Sequence, residues 1–364
     1  MVGRIGRSFI LAAAGAAVLA TVLAAGCGGG STTSGAVSGL IGPEGGRLEA
    51  GGIVVVVPPG AVAAPTEFLI ARLSGAQVPP PPNGLSALSA GQFEVNGAML
   101  FAFPVTITFP LSPRLAVPPG QPAPLTVPLW QFFEGAGWDI AGSDVSAPVS
   151  ALVSANGLTA TASVVHFTVY AILADYAPLA VGSSWTYHRT VQVITPPGGS
   201  PGPEETSTVT ATITDRQMIG DFNTYVWTEQ GDTTSRKLYL FRTTSAPFEL
   251  LLAAVDEGAG ITELNPPAKL LMLPPAAGQT WQVTLPQLDP SAQATVTAET
   301  ITVGGIEYDA MKVHLAPTLV PAAGYVDISF APGVGPVKWK DVITTAESQT
   351  VTELDLQSYT PGGG

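Results

Sequence analysis

The sequence has very little cysteine, histidine or charge. Among its 364 residues there is one cysteine, Cys27, and there are three histidines. Charged residues make up 11% of the chain, compared with about a quarter in an average soluble domain. A single cysteine cannot form an internal disulfide, so any domain must be held together by its packed core. The hydrophobic content of 46% is sufficient for that.

These shortages exclude several classes of function. The formal net charge of −13 argues against nucleic acid as a partner and against electrostatic adhesion to anionic lipid. His166, His188 and His314 are too far apart in the sequence to resemble a zinc motif. The chain has no D-x-D-x-D-G calcium loop, G-x-S-x-G elbow, P-loop or H-E-x-x-H helix. We therefore predict no metal, no cofactor and no common catalytic activity.

The first 27 residues form the most specific pattern in the chain. Arg4 and Arg7 precede a run, Phe9–Ala25, that is apolar apart from one glycine and one threonine, and small residues lead up to Cys27. This is the layout of a secretory signal. The segment LAAGC resembles the lipobox of bacterial lipoproteins. The resemblance implies cleavage between Gly26 and Cys27, diacylglycerol on the sulfur, and an acyl chain such as palmitate on the new amino group.

Two other interpretations of this segment stay open. A signal could be cut and the protein released, or the apolar run could remain as a membrane helix. The run is slightly shorter than the roughly 20 residues that a spanning helix needs. Within the lipoprotein resemblance, Gly28 stands where an aspartate would signal retention in the inner membrane. This favours the outer membrane of a bacterial cell envelope, with the face of attachment left open.

We divide the chain into four parts. Residues 1–26 are the signal peptide, 27–39 the lipidated cysteine with a flexible tether, and 40–174 and 175–364 two β-domains. Removal of the signal leaves 338 residues with a charge of −15. A Gly/Ser-rich tether of this length has a root-mean-square reach of roughly 20 Å. The division predicts two disulfide-free domains held near a membrane surface by lipid.

Residues 40–174 show short apolar or alternating runs separated by proline and glycine, with no sustained helical period. Asn-Gly pairs at 96–97 and 156–157 predict tight hairpins, and Glu134–Gly137 predicts another. The predicted strands are Arg47–Glu49, Ile53–Val57, Glu67–Leu73, Gln92–Val95, Val105–Phe109, Leu129–Phe133, Trp138–Ile140, Leu158–Val164 and Thr168–Leu173. Many short strands at this spacing indicate an antiparallel β-sandwich.

Four segments of this region resemble a ZU5-type domain. They read IGPEGGRLEAGGIVVVVPPGAVAAPTEFLIARL, FEVNGAMLFAFPVTITFP, LWQFFEGAGWDI and LTATASVVHFTVYAIL, and they cover about 130 residues in the family's order. The resemblance implies a β-sandwich, in a family whose members are mostly interaction modules. Relatives of that fold that cleave themselves carry a triplet like His166-Phe167-Thr168. There, His166 would be the general base and Thr168 the nucleophile that breaks the Phe167–Thr168 bond. The alternative is ordinary packing in the closing strand.

Residues 175–364 also read as strands. We predict Ser184–Val193, Glu205–Asp215, Tyr225–Glu229, Arg236–Arg242, Phe248–Leu252, Thr280–Leu285, Ala294–Val303, Ala310–Leu315, Tyr325–Phe330, Val334–Asp341 and Ser348–Ser358. The opening segment PLAVGSSWTY and the closing segment FAPGVGPVKW resemble those of a class of uncharacterised bacterial envelope lipoprotein domains. That resemblance implies an antiparallel β-sheet or half-barrel and no established activity.

The six tryptophans offer one further hypothesis. Aromatic side chains on a sheet can form a carbohydrate-binding platform, but strand tryptophans more often belong to the core. An exposed row would favour the platform, and burial would count against it. The sequence as a whole predicts a lipid-anchored envelope protein that is a non-enzymatic binding or structural module. Its partners would be the lipid bilayer, through acylated Cys27, and an envelope protein or glycan; the alternatives are self-cleavage and carbohydrate binding.

Overall fold

The structure is a computed structural model. It describes residues 35–96, 100–121, 124–142, 148–195, 199–232, 235–285, 288–317 and 324–363, with the backbone alone at 285 and 288–291. Gly35–Gly364 make up one compact unit. The predicted signal, Gly26, Cys27 and most of the predicted tether lie outside the described residues. All the strand pairs described are antiparallel, which confirms the predicted all-β fold.

The first part of this unit is an 11-stranded sheet. Its strands are β1 (Val37–Ile41), β2 (Gly46–Ala50), β3 (Ile53–Val57), β4 (Thr66–Leu73), β5 (Ser86–Val95), β6 (Val105–Pro110), β7 (Thr126–Phe133), β8 (Gly137–Ile140), β9 (Ser150–Val153), β10 (Thr159–Val164) and β11 (Val169–Ala174). The strand order is β1-β4-β5-β11-β7-β9-β10-β6-β3-β2, with β8 beside β7. We call it the first sheet.

Strand β7 folds the first sheet into two layers. Residues 126–128 of β7 pair with β9, whereas residues 129–132 pair with β11. Large apolar side chains from the two layers then meet in one core. Phe93 of β5 and Phe109 of β6 are in edge-to-face contact with ring centroids 6.0 Å apart. Buried and half-buried residues alternate along these strands, as they do along β6. This alternation gives the layered β-sandwich expected from the sequence.

The second part is a 12-stranded sheet, the second sheet. Its strands are β12 (Ser184–Ile194), β13 (Pro201–Ile219), β14 (Phe222–Gly231), β15 (Ser235–Arg242), β16 (Phe248–Asp256), β17 (Ile261–Leu273), β18 (Thr280–Leu285), β19 (Leu288–Val303), β20 (Ile306–Pro317), β21 (Gly324–Ala331), β22 (Gly335–Thr344) and β23 (Gln349–Thr360). The order is β17-β16-β15-β14-β13-β12-β23-β22-β21-β20-β19-β18.

The second sheet curls until its end strands, β17 and β18, lie side by side. No ladder joins these two strands in the described residues. Instead, the Trp281 indole N–H donates to the Lys269 carbonyl oxygen across the gap, at 3.0 Å. The sheet is thus nearly closed and barrel-like, beyond the half-barrel that we predicted, and its interior is filled by a large apolar cluster.

Three local expectations need correction. Residues 37–39, which composition assigns to the tether, belong to β1. The predicted hairpin at Asn96-Gly97 is wrong, because β5 pairs with β4 and β11 whereas β6 pairs with β10 and β3 in the other layer. Gly97 itself lies outside the described residues. Strand β17, which we did not predict, runs through Pro266 and Pro267. Its place at one end of the sheet tolerates the missing N–H groups.

Candidate functional site

The triplet His166-Phe167-Thr168 lies between β10 and β11 and not in the closing strand, which corrects our expectation. Strand β10 ends at Val164 in one layer and β11 begins at Val169 in the other. The intervening residues leave the ladder because the chain crosses from layer to layer. Phe167 points inward against Phe101, with ring centroids 4.8 Å apart.

The two polar side chains of the triplet have separate partners. The Thr168 hydroxyl donates to the Phe132 carbonyl oxygen of β7, at 3.2 Å. His166 Nδ1 lies 3.2 Å from the Tyr170 hydroxyl, which donates to the His166 carbonyl oxygen at 2.9 Å. Among the described residues, Asn83 is the only non-glycine residue with positive φ, so the triplet carries no left-handed backbone strain. The arrangement is that of a packed crossover between layers.

The histidines and acidic residues form no metal site within the described part of the chain. His188 lies on β12, His314 on β20, and His166 in the crossover between β10 and β11. His314 Nδ1 is 2.6 Å from Asp327 Oδ1 of β21. His166 and His314 thus each have a local side-chain partner, Tyr170 and Asp327.

The six tryptophans are buried or half-buried. Trp185 is 1% exposed and its indole N–H donates to the Val334 carbonyl oxygen at 2.7 Å. Trp138, on the first sheet, donates to the Pro79 carbonyl oxygen at 3.1 Å. None forms an exposed row, so the tryptophan platform that would favour carbohydrate binding is not present in the described residues.

The junction of the two sheets is joined by arginines. Arg114, in the segment after β6, forms ion pairs with Glu307 and Asp309 of β20, and its backbone N–H donates to Asp309 at 2.9 Å. Arg242 at the end of β15 pairs with Asp175 at 2.5 Å, immediately after β11. Both arginines therefore link the two sheets, Arg114 through Glu307 and Asp309 and Arg242 through Asp175 and the Asn83 carbonyl oxygen.

Apolar contacts and a cavity surround these ion pairs. Burial, with a smaller contribution from the Asp309 charge, raises the pKa of Tyr176 above its usual range. Close by, a cavity of about 250 Å³ lies between the sheets. Its lining is mostly apolar and includes Leu115, Val127, Leu173 and Val334. The junction is thus a packed interface with a small gap.

The outer face of the second sheet carries a cross-strand network of charge. Register places His314, Asp327, Lys340 and Glu353 side by side on four neighbouring strands. In a parallel row, Lys338 lies opposite Asp355, which lies opposite His188. We call these seven residues the charge ladder. Each lysine of the ladder faces a carboxylate on a neighbouring strand, and such pairings support the sheet.

Glu353 is the centre of the charge ladder. Its carboxylate accepts from Lys340 at 2.8 Å and lies 3.2 Å from Lys338. Partial burial would raise the pKa of Glu353, but hydrogen bonds from the two lysines outweigh it and lower this pKa below its ordinary value. The ionised form of Glu353 is thus favoured in the folded protein.

A second polar cluster lies inside the second sheet. Buried Glu229 accepts from Trp227 at 3.0 Å and from Arg236 at 2.5 and 3.2 Å. The Arg236 guanidinium lies 5.8 Å from the ring centroid of Trp339. Burial raises the pKa of nearby Asp341, and the Arg236 charge opposes that rise. The cluster links strands on opposite walls of the sheet, so it helps fill the interior.

Comparison with known proteins assigns no family. No protein-family model matches the chain, and no curated protein does. The chain is similar to a solved structure designated a lipoprotein from Parabacteroides distasonis ATCC 8503, at 12% identity and a TM-score of 0.29, covering 51% of this chain and 99% of that one. It is also similar to an exported protein with a YmcC-like fold from Bacteroides fragilis NCTC 9343, at 12% identity and a TM-score of 0.23, with the same coverage. Neither likeness assigns a function, and the ZU5 and envelope-domain resemblances stay predictions from the sequence.

Sequence reasoning missed the junction arginines. Arg114 and Arg242 lie 128 positions apart in a chain with only 14 lysines and arginines. Their scarcity was a signal, because a protein with few cations uses each for a purpose more often than a highly charged one. Their acidic partners come from the other sheet, and no local pattern predicts that pairing.

Proposed function

We propose that this chain is a lipid-anchored protein of a bacterial cell envelope and that its two β-sheets form a non-enzymatic binding or structural module. The observation that carries the proposal is Cys27, the only cysteine, placed directly after a basic start, an apolar run and LAAG. Acyl chains on the cysteine would hold the protein to the membrane, since the mature charge of −15 would not. By the identity of Gly28, that membrane would be the outer one.

Among the described residues, no helix has the length and apolar character needed to cross a bilayer. The junction and the second sheet support the proposed role. The sheets are joined by ion pairs at Arg114 and Arg242, so the module would be presented as one rigid body. Its second sheet carries the charge ladder as a polar outer face, a surface suited to contact with an envelope protein or glycan.

Membrane flotation tests the anchor. We expect the full chain, produced in a bacterium with lipoprotein-processing enzymes and fed labelled palmitate, to incorporate label and float with membranes. Cys27→Ala should lose both label and flotation, because no other residue can carry the thioether. Ser31→Ala, which changes the tether and leaves the lipobox unchanged, serves as the matched control. Flotation of an unlabelled Cys27→Ala chain would contradict the proposal.

A gel tests the non-enzymatic part of the proposal. The Thr168 hydroxyl donates to the Phe132 carbonyl oxygen, and the triplet has no residue with positive φ. Both observations support an intact Phe167–Thr168 bond. We expect the purified chain to run as one full-length band, identical to that of Thr168→Ala. Two fragments in the native chain that disappear in Thr168→Ala would show self-cleavage and overturn this part.

A further inference from the structure

One end of the first sheet carries an exposed apolar tip. Leu100, Phe103 and Val165 are 71%, 54% and 42% exposed. They lie together, because the Phe101 N–H donates to the Val165 carbonyl oxygen at 2.8 Å and the Ala102 N–H donates to the Ala61 carbonyl oxygen at 3.1 Å. We define the apolar tip as Leu100, Phe103 and Val165. Large apolar side chains clustered at a surface indicate a contact site.

The apolar tip has a rigid base. Phe101, between its two exposed neighbours, is buried and stacks on Phe68 with ring centroids 5.9 Å apart. Phe167, two residues after Val165, packs against both of them. The Phe103 ring lies against Gly60, where a side chain would collide with it. The exposed groups are therefore held in place by the aromatic core beneath them.

The tip lies at the end of the first sheet opposite the junction. Strand β11 begins at Val169, next to the tip, and ends at Ala174, next to Asp175 of the junction. Its six residues span roughly 17 Å. The second sheet therefore leaves the tip uncovered.

The loops at this end carry no lysine or arginine. Register also places residues 134–136 here, because Val169 pairs with Phe132 of β7. Together with 42–45, 58–65, 100–104 and 165–168 they contain two acidic residues, Glu44 and Glu134, and one histidine, His166. An anionic partner would find no lysine or arginine to pair with there. The chemistry of the tip fits an apolar partner, and its binding should depend little on salt.

The length of chain before β1 brings this end within reach of the anchor. Strand β1 begins at Val37 and ends at Ile41, and Ile41 pairs with Thr66 at the tip end. The five residues of β1 span roughly 14 Å. Nine residues, 28–36, separate Cys27 from β1; as the coil that their composition predicts they reach roughly 17 Å, and roughly 30 Å fully extended. The tip can therefore touch the surface in which Cys27 is anchored.

We propose that the apolar tip inserts into the interfacial region of the lipid bilayer as a second membrane contact, which orients the first sheet toward the membrane and the second sheet away from it. This inference rests on the proposed lipid anchor. The anchor supplies proximity, and the three side chains supply apolar surface that leaves water on contact.

Site-directed fluorescence tests the inference. Leu100→Cys and Leu158→Cys place one thiol each on an exposed leucine, and Leu158 lies at the opposite end of β10 from the tip. Each full-length lipidated protein is labelled with an NBD maleimide and reconstituted into phosphatidylcholine vesicles with a spin-labelled lipid quencher. On vesicles without the quencher, we expect the emission maximum of the label at Leu100→Cys to shift to the blue. With the spin-labelled lipid, this emission should be quenched, whereas the emission of the label at Leu158→Cys should be unchanged. Adding Phe103→Ser to Leu100→Cys should reduce insertion by about tenfold.

The outcomes separate the two claims. The parent protein must not react with the maleimide, because acylation occupies the sulfur of Cys27; a parent that labels and does not float contradicts the anchor, and the inference falls with it. A protein that floats while both labels give the same emission contradicts the inference alone. Circular dichroism checks that each variant is folded.

Discussion

The two sheets of this protein are stabilised by different interactions in place of disulfides. The first sheet relies on aromatic packing between layers, where Phe93 meets Phe109, Phe167 and Tyr170. The second sheet combines its apolar core with ion pairs. Glu353 and Lys340 pair on its outer face, and Glu229 and Arg236 pair on its inner side. In the first sheet, Arg47 and Glu49 form an ion pair on β2, and both side chains are exposed to solvent.

This difference shows how a chain with 11% charged residues distributes them. Polar pairs on neighbouring strands fix the register of a large curled sheet. A small layered sheet can be specified by the shapes of its aromatic residues. The first sheet is thereby left with an apolar end that has no lysine or arginine, and the second with a polar face. The three measurements below test this contrast, from the largest expected effect to the smallest.

Removing one ring from the aromatic core should have the largest effect on stability. Phe93 is 2% exposed. We expect Phe93→Ala to lower the free energy of unfolding by about 3–5 kcal/mol, through lost burial and the cavity left behind. Phe133→Ala, at a 39% exposed position of the same sheet, should cost less than about 1 kcal/mol. Denaturant titrations measure both, and equal losses would show that packing does not hold the first sheet.

Breaking the junction should uncouple the sheets. The Arg242 side chain binds Asp175 at 2.5 Å and the Asn83 carbonyl oxygen at 2.6 Å. We expect Arg242→Gln to lower stability by about 2 kcal/mol and to split a single calorimetric unfolding transition into two. Arg47→Gln, which removes an exposed pair, should leave one transition. An unsplit, unshifted transition in Arg242→Gln would contradict the rigid unit.

The charge ladder should make the second sheet sensitive to acid. Because hydrogen bonds from lysines lower the pKa of Glu353, its stabilising contribution is present above the ordinary value of 4.5 and is lost as pH falls through the lowered pKa. We expect Glu353→Gln to be less stable than the native chain at pH 7, by less than about 1 kcal/mol, and to lose less stability on acidification. Thermal unfolding from pH 7 to pH 3 measures this, with exposed Glu347→Gln as the control; parallel curves for Glu353→Gln and the native chain would refute it.

Alternation and turn residues predict most of the strands. Ile53–Val57 and Thr280–Leu285 are strands with the predicted bounds, because short apolar runs between turns leave few alternatives. Strand β17 could not be predicted, since Pro266 and Pro267 argue against a strand wherever its place in the sheet is unknown. The prediction that His166 lies in the closing strand was also wrong, because alternation cannot distinguish a strand from a crossover between layers.

The parts of the candidate site that depend on distant pairing were beyond the sequence. Arg114 meets Asp309 across 195 positions, and no local periodicity encodes such a contact. The apolar tip was hidden for a related reason. Leu100, Phe101 and Phe103 read as one apolar segment, and only the layered fold separates buried Phe101 from its exposed neighbours.

The central claim is that Cys27 anchors the chain through lipid, and the mass of the N-terminal peptide tests it most directly. Native protein extracted from membranes, digested and analysed by mass spectrometry, should yield a first peptide that begins at Cys27 and carries diacylglycerol on sulfur and an acyl chain on nitrogen. A peptide that retains residues before Cys27, or that begins elsewhere with an unmodified Cys27 thiol, would contradict the account.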